Sequence, residues 1–217
     1  MERTITINGT GVAYTAPDWV ELTLTIQSKN TDYDTMLKNA ASRYDQLCEA
    51  VRALGFPVEQ LKTDSYNFYT SQKTNSDNDS SFGETYTEYS CSHKLCLSFP
   101  LDQDRLASVL NGISACPAHP SVSVELSLQD PAPVKAQALR NAAEQARSKA
   151  KLLAEISGLQ LGELVSIQSD EMDFDYSSHT LAEPQGEFCD LLACLHNSLN
   201  PSELSLTQNV VFVWELV

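Results

Sequence analysis

The sequence predicts an α+β fold in which two similar strand–helix–strand–strand halves pack long helices on largely antiparallel sheet. Two long stretches, at about residues 33–54 and 131–158, have apolar residues at helical spacing and charged residues on the opposite side. Stretches that alternate between polar and apolar residues surround both helices and are typical of half-buried strands. The same order of elements therefore occurs twice, at about residues 18–99 and 121–217.

The chain that follows each long helix supports an internal duplication. It reads LGFPVEQLKT after the first helix and SGLQLGELVS after the second, which aligns Gly55 with Gly158. We interpret residues 1–217 as a single domain with internal halves at about 1–100 and 101–217. A chain of this length can bury a substantial core.

Periodicity and end signals predict five elements in the first half. They are a strand at Thr4–Tyr14, a strand at Trp19–Ser28, a helix at Tyr33–Leu54, and strands at Thr63–Gln72 and Glu84–Phe99. In the second strand Leu22, Leu24 and Ile26 alternate with polar residues, so we expect one buried face. Asn30 or Thr31 can cap the first helix.

Five elements are also predicted in the second half. They are a short helix capped by Asp102, a strand at Ser121–Gln129, a helix at Pro131–Gly158, and strands at Gly162–Ser169 and Leu206–Val217. The last strand is apolar on both faces, as in a central strand that is covered on both sides. Residues 170–205 form a long acidic excursion without a clear pattern. A connection of this length indicates a functional or disordered segment.

The second long helix has an apolar face made mainly of alanine. One arc of the helix contains Ala138, Ala142, Ala143, Ala146, Ala150, Leu153, Ala154 and Ser157. The opposite side, which we interpret as a solvated face, contains Arg140, Glu144, Arg147, Lys151 and Glu155. Because alanine side chains are short, we expect this helix to lie flat and close on a sheet.

The charge balance argues against surfaces that bind phosphates. The chain has 14 Lys and Arg residues against 29 Asp and Glu residues, a formal net charge of −15. Nucleic-acid binding neutralises phosphates and anionic membranes attract basic segments, so we expect neither as a partner. No Lys or Arg follows Lys151. This indicates an acidic, solubilising surface or, alternatively, a docking face for a basic partner.

The N-terminal sequence MERTITINGTG has neither the apolar segment nor the cleavage site of a secretory signal. No apolar run approaches membrane-spanning length. We therefore expect a cytoplasmic protein without membrane insertion. In a reducing compartment the six cysteines are expected to be free thiols: Cys48, Cys91, Cys96, Cys116, Cys189 and Cys194.

Two groups of residues suggest zinc: Cys91, His93 and Cys96 form the first, and Cys189, Cys194 and His196 form the second. In a strand, residues 91 and 93 share one face and residue 96 lies on the other. We therefore interpret the cysteines as buried small side chains and His93 as an edge residue. Lys94 can lower the pKa of its cysteine neighbours, which leaves redox sensing as an alternative.

Further motifs predict no catalytic site. Gly9-Thr10-Gly11 precedes a strand rather than a helix, so we interpret it as a kink in a strand and not as a dinucleotide-binding loop. The chain has no phosphate-loop signature and no G-x-S-x-G nucleophile elbow. No clear Ser or Asp partner for a catalytic triad accompanies the four histidines, His93, His119, His179 and His196.

Two acidic stretches have the spacing of a calcium loop: Asp77, Asp79 and Ser81, and Asp173, Asp175 and Ser177. The sixth position of such a loop is glycine, whereas here it is Phe82 in one stretch and Ser178 in the other. The sequence therefore predicts no catalytic, cofactor-binding or metal-binding residue, and no cofactor.

Four stretches carry a resemblance to a known family: ITINGTGVAYTAPDWVELTLTIQS, KNAASRYDQLCEAVRALGFPVEQLKTDSYNFY, ALRNAAEQARSKAKLLAEISGLQLGELVSI and NPSELSLTQNVVFVWEL. They resemble, in order, four parts of the SIMPL-domain family, a widespread domain of uncertain function. These parts are a Gly-x-Gly strand with Pro-Asp, a helix with a Leu-Gly turn, an alanine-spaced helix followed by Gly-x-x-Leu-Gly, and a closing strand. Pro201 is not followed by the glycine often found in the family, and the excursion at 170–205 also departs from the usual pattern.

The resemblance implies a protein that is not an enzyme. Members of the family include periplasmic or surface-antigen proteins that assemble into ring- or channel-like oligomers. Others are tied to oxidative-stress resistance, and one is an animal adaptor in inflammatory signalling. Relatives are often periplasmic or exported and carry a leader peptide or lipid anchor, in contrast to the cytoplasmic location expected here.

We therefore expect a non-catalytic, self-associating assembly or interaction protein, a homo-oligomer that also has the capacity to bind a protein partner and to act in stress resistance. Residues 73–83 and 170–205 would carry variable contacts. The alternative is a small-molecule- or metal-binding, thiol-based stress protein with a site under the acidic excursion. Such a site would depend on Cys91, Cys96, Cys189 or Cys194. A hydrolase is the third hypothesis, which is disfavoured because no nucleophile–base pair can be named.

Overall fold

The computed structural model describes residues 3–74, 85–169 and 202–217. The elements are β1 (Thr4–Thr15), β2 (Trp19–Asn30), α1 (Tyr33–Ala53), a 3-10 turn (Val58–Gln60), β3 (Lys62–Thr74), β4 (Thr85–Pro100), α2 (Gln103–Ser114), β5 (Ser121–Ser127), α3 (Ala132–Ile156), β6 (Leu161–Ser169) and β7 (Leu204–Leu216). Each predicted helix and strand is found, with ends within two residues of those expected. The α+β fold class is confirmed.

The elements form two packing units, each described here by itself. Unit 1 contains β1, α3, β6 and β7, and unit 2 contains β2, α1, β3, β4, α2 and β5. Each unit places a long helix on strands in a corresponding order, β6–β7–β1 in unit 1 and β3–β4–β2 in unit 2. If the second half repeated the first, β5 would lie in the sheet of unit 1, as β2 lies in the sheet of unit 2. Instead β5 joins the sheet of unit 2 beside β2, and β1 occupies in unit 1 the position that β2 has in unit 2. The internal duplication stays a prediction.

Unit 2 has a core of large apolar side chains. Strand β2 pairs with β4, and β4 with β3, both antiparallel. The alternation predicted for β2 is confirmed, because Leu22, Leu24 and Ile26 are buried and the residues between them are more exposed. The largest fully buried side chains of this unit come from strands and helices alike: Phe99, Leu22, Leu24, Met36, Leu47, Leu95, Leu97, Leu106, Leu110 and Ile113.

The helix caps in unit 2 are carried by two aspartates. The Asp102 carboxylate accepts a hydrogen bond from the backbone N–H of Arg105 at 2.7 Å, which confirms the predicted cap of α2. For α1 the expected cap was wrong. Asp32 is the N-cap and accepts from Thr35 N at 2.8 Å, whereas the Asn30 side chain accepts from the Asp32 backbone N–H. Two backbone N–H groups at the start of the helix, which have no partner within the helix, thus receive a hydrogen-bond acceptor.

In unit 1 the helix contacts the sheet through small residues of its own. Helix α3 lies on β1 and β7, as expected from its alanine face. Its buried residues form one stripe at intervals of four: Ala138, Ala142, Ala146, Ala150 and Ala154. Leu153 and Ser157, which were expected in the same arc, are exposed. The contact follows a narrow ridge of every fourth residue rather than a broad arc, so residues one position off the ridge lie outside it.

The glycine pair in β1 permits this close approach, and our interpretation of it as a kink was wrong. Strand β1 pairs with β7 in unbroken antiparallel register through both glycines. A Cβ atom at Gly9 would overlap the carbonyl oxygen of Ala142, and one at Gly11 the carbonyl oxygen of Ala138. The helix backbone therefore rests directly on the strand backbone, which only glycine allows.

Strand β7 is the centre of the unit 1 sheet, as predicted, and pairs antiparallel with β1 and β6. Only the face towards α3 is buried, through Val210, Phe212 and Trp214. Val211 and Val213 on the other face are half-buried, so the expected burial on both sides was only partly met. Among the helices in the described ranges, none combines the length and apolarity needed to cross a bilayer.

Candidate functional site

The structure places His93 in an aromatic corner of unit 2. Between ring centroids, His93 on β4 lies 5.2 Å from Tyr44 on α1 and 4.7 Å from Tyr66 on β3. Phe68 continues the cluster at 4.9 Å from Tyr66. We call these four side chains the aromatic corner. They fill the angle between the helix and the outermost strand of the sheet.

The polar groups of the aromatic corner are in their neutral forms near neutral pH. His93 Nε2 lies 3.0 Å from Thr63 Oγ1, and burial lowers the pKa of His93 below its ordinary value. A hydrogen bond with the Cys91 thiol raises the pKa of Tyr66 to about 12. The imidazole of His93 thus contacts two aromatic rings and one hydroxyl group, and its lowered pKa favours the neutral form.

The first zinc candidate is divided between two faces of β4. Cys91 is buried in the core and Cys96 is half-buried on the opposite face, as predicted from strand geometry. Burial raises the pKa of the Cys96 thiol, and the negative charges of Glu21 and Asp64 raise it further. The opposing effect of Lys94, which pairs with Asp64 at 3.0 Å, is weaker. Lys94 lowers the pKa of Cys96 as predicted, but burial and the two carboxylates outweigh it, which disfavours the redox-sensing alternative at Cys96.

Metal-binding candidates are otherwise limited. In the part of the chain that the structure describes, no three His, Cys, Asp or Glu side chains converge in a way that could hold a metal ion. His119 is exposed in a turn with φ of 45°. The remaining candidates lie outside the described residues: Asp77, Asp79, Ser81, Asp173, Asp175, Ser177, His179, Cys189, Cys194 and His196.

A concave surface of unit 1 lies between α3 and β6, and we call it the α3–β6 groove. Its volume is about 1050 Å³. The floor is formed by Phe212 and Trp214. Their rings are stacked with 5.3 Å between the ring centroids, and both residues are almost completely buried. Leu164 and Ile167 on β6 form one wall and are 47% and 55% exposed. The other wall is the flank of α3.

The groove is open because α3 is held over β1 rather than over β6. Two amides of α3 bind the backbone of β1: Gln145 Oε1 accepts from Thr10 N at 2.8 Å, and Asn141 Nδ2 donates to Val12 O at 2.7 Å. The glycines of β1 draw the helix to the same side. On the flank that faces β6, the side chain nearest the floor is the short Ala143. No large side chain of α3 therefore covers β6.

The rim of the α3–β6 groove is charged. Arg147, Lys151 and Glu155 follow Ala143 at intervals of four along α3 and line the groove. These side chains were interpreted from the sequence as a solvated face, and the groove itself was missed. The helical spacing of the basic residues was visible, but the sideways position of α3 that makes them a rim depends on contacts between distant parts of the chain.

A second exposed surface is the outer strand β3 of unit 2. Tyr66, Phe68 and Tyr69 are 44%, 48% and 58% exposed. Tyr66 and Phe68 lie opposite His93 and Cys91 and so share the side of the sheet that carries α1, whereas Tyr69 points to the other side. In the described residues β3 pairs with β4 alone, so its other edge is unpaired.

Comparison with known families confirms the resemblance found in the sequence. The family described as SIMPL, protein of unknown function (DUF541), matches residues 5–211. The match covers most of the 217 residues, and the chain belongs to this family. No curated protein matches the chain.

Proposed function

We propose that this SIMPL-family protein is a non-catalytic assembly protein that self-associates through the outer strand β3. The observation that carries the proposal is the exposure of three aromatic side chains, Tyr66, Phe68 and Tyr69, on an edge strand of 13 residues. An edge strand presents a row of unpaired backbone groups, and proteins usually shorten, charge or cover such an edge. Aromatic side chains are enriched in protein interfaces, where they contribute large contact areas.

A second copy of the chain fits this edge. Two β3 strands that pair antiparallel about a two-fold axis form a self-complementary contact, and the four-stranded sheets then continue across it. Lys73 near the end of β3 pairs with Glu88 of the same chain at 2.8 Å, so its charge is partly balanced. The aromatic residues lie between this pair and the start of the strand, where they meet the partner's rings.

The net charge of −15 sets the conditions for association. Two acidic copies repel each other at long range, and salt screens this repulsion beyond a Debye length of about 8 Å at physiological ionic strength. We expect stronger association at moderate than at low salt. An interface driven by attraction between opposite charges would show the reverse dependence.

A non-catalytic role is supported by the chemistry of the described residues. His93 contacts aromatic rings and one hydroxyl group, and Cys96 has a raised pKa that disfavours the reactive thiolate. The thiol-based alternative is therefore less favoured than self-association. A stress-related role, a further protein partner and a cytoplasmic location stay predictions from the sequence and the family resemblance.

Hydrogen–deuterium exchange at low and high protein concentration tests the proposed contact. Self-association through β3 is expected to slow exchange of the outward-facing β3 amides as concentration rises, while the amides of β1 do not change. The double change Phe68→Ser and Tyr69→Ser is expected to abolish this effect. Tyr14→Ser, which removes another exposed tyrosine from a strand of unit 1, is the matched control. Exchange of β3 that is independent of concentration would contradict the proposal.

A further inference from the structure

The α3–β6 groove is lined by apolar and polar groups in similar measure and has two cations on its rim. The stacked Phe212 and Trp214 form an apolar floor, and Leu164 and Ile167 extend it along β6. The volume of about 1050 Å³ is comparable with the upper end of small-molecule sites, roughly 300–1000 Å³. The groove is thus large enough for the whole apolar body of a small ligand.

The basic residues at the rim stand out against the charge of the chain. Arg147 and Lys151 are two of only 14 basic residues in a sequence with a net charge of −15, and both line the groove. They are one helical turn apart on one flank of α3, so both can reach the same group at the mouth of the groove. Glu155 lies one turn further on, so two cations stand beside one carboxylate among the described residues that line the groove.

We propose that the α3–β6 groove binds an amphipathic monoanion. Its flat or extended apolar body lies along the exposed side chains of Leu164 and Ile167, with the largely buried Phe212 and Trp214 beneath it. Its carboxylate, sulfonate or similar head group binds between Arg147 and Lys151. The arrangement of the site sets the orientation of the bound anion, because the floor is apolar and the cations that line the groove lie on the α3 side. This inference concerns unit 1 and is independent of the proposed self-association through β3.

A matched pair of fluorescent probes tests both parts of the site. Anilinonaphthalenesulfonate is an apolar aromatic anion, and phenylnaphthylamine has the same ring system without the sulfonate. The chain has two tryptophans, Trp19 and Trp214, and only Trp214 lines the groove. In a Trp19→Phe background, energy transfer to the probe comes from Trp214 alone, and its loss on changes inside the groove but not on matched changes outside it locates the probe there.

The double change Arg147→Gln and Lys151→Gln is expected to weaken binding of the sulfonate roughly tenfold or more, because two charge-assisted contacts are lost. Binding of the uncharged probe is expected to stay the same. The control is the double change Arg140→Gln and Lys149→Gln, which removes the same charge from exposed positions of α3 outside the groove. Equal effects of the two double changes would overturn the proposed head-group site.

The apolar part of the site has its own control. Ile167→Asp places a charge in the groove and is expected to weaken binding of both probes. Val165→Asp makes a similar change on the exposed β6 surface but does not line the groove, and is expected to leave Trp214 energy transfer unchanged. Absence of Trp214 energy transfer with the sulfonate would overturn the proposal. So would binding that decreases as protein concentration rises, because the groove would then be occupied by a second copy.

Discussion

The two units meet the same architectural problem and solve it differently. Each places a long helix on a sheet and leaves the outer strand, β3 or β6, beyond the helix. In unit 2 the angle between helix and outer strand is filled by Tyr44, Tyr66 and His93. In unit 1 the corresponding flank of α3 begins with Ala143 and continues with charged residues, and the angle stays open as a groove.

The difference teaches that side-chain size on the helix flank decides whether such an angle becomes core or binding surface. Unit 2 uses large side chains throughout, so its helix is supported at a distance from the sheet. Unit 1 uses glycine and alanine, so its helix backbone rests on β1 and is drawn away from β6. Close packing in one place thus leaves open space in another.

The largest expected effect comes from removing bulk from unit 2. Leu97→Ala deletes a fully buried side chain and is expected to lower the free energy of unfolding by about 2–5 kcal/mol. Ala146→Gly, the corresponding removal in unit 1, is expected to cost about 1 kcal/mol, mostly in helix propensity. Urea denaturation measures both, with Trp19 as the reporter for unit 2 and Trp214 for unit 1. Similar losses of unfolding free energy for the two changes would contradict the contrast between large side chains in unit 2 and small ones in the helix contact of unit 1.

Adding bulk is expected to harm unit 1 instead. Gly11→Ala forces a methyl group against the carbonyl oxygen of Ala138 and is expected to destabilise by about 1–3 kcal/mol. In unit 2, Gly112→Ala meets only the methyl end of the Leu54 side chain, 2.6 Å away, which can move. That control is expected to be close to neutral in the same denaturation experiment. A neutral Gly11→Ala would contradict the close approach of α3 to β1.

Exchanging the side-chain size on the helix flank between the two units tests the comparison further. Ala143→Tyr places a ring in the angle between α3 and β6, as Tyr44 does in the angle between α1 and β3, and is expected to close the groove and abolish probe binding without unfolding the protein. Tyr44→Ala opens the aromatic corner and is expected to cost about 0.5–1.5 kcal/mol for each lost ring contact. Probe fluorescence and urea denaturation measure the two results. Full probe binding by the Ala143→Tyr protein would place the probe outside the groove.

The smallest expected effect is a pH dependence confined to unit 2. Because burial lowers the pKa of His93, the unfolded chain binds the proton more tightly than the folded one. The contribution of His93 to stability is therefore complete above the ordinary histidine pKa of about 6.5 and declines as the pH falls towards the lower folded value. His93→Gln is expected to flatten this part of the curve of stability against pH. An unchanged slope would show that His93 does not carry it.

Local sequence signals were sufficient for the elements but not for their assembly. The alternation in β2, the alanine stripe of α3 and the cap at Asp102 are read over a few residues, and all three were predicted. The entry of β5 into the sheet of unit 2 depends on pairing between distant strands, which periodicity does not specify. The cap at Asp32 was missed because Asn30 and Asp32 are both suitable cap residues.

The candidate surfaces were harder to predict than the fold, for the same physical reason. The role of Gly9 and Gly11 depends on a helix that is 130 residues away in the sequence. Basic residues at the spacing of Arg147 and Lys151 occur on solvated helices as well as on the rims of grooves. Only the sideways position of α3, set by Asn141 and Gln145, distinguishes the two cases.

Light scattering coupled to size-exclusion chromatography, at low and moderate salt, tests self-association most directly. We expect the wild-type protein to have a mass that is a whole-number multiple of one chain, with the larger species favoured at moderate salt. The Phe68→Ser and Tyr69→Ser protein is expected to run with the mass of one chain, and the Tyr14→Ser protein like the wild type. A wild-type protein with the mass of a single chain at every concentration and salt would contradict the account.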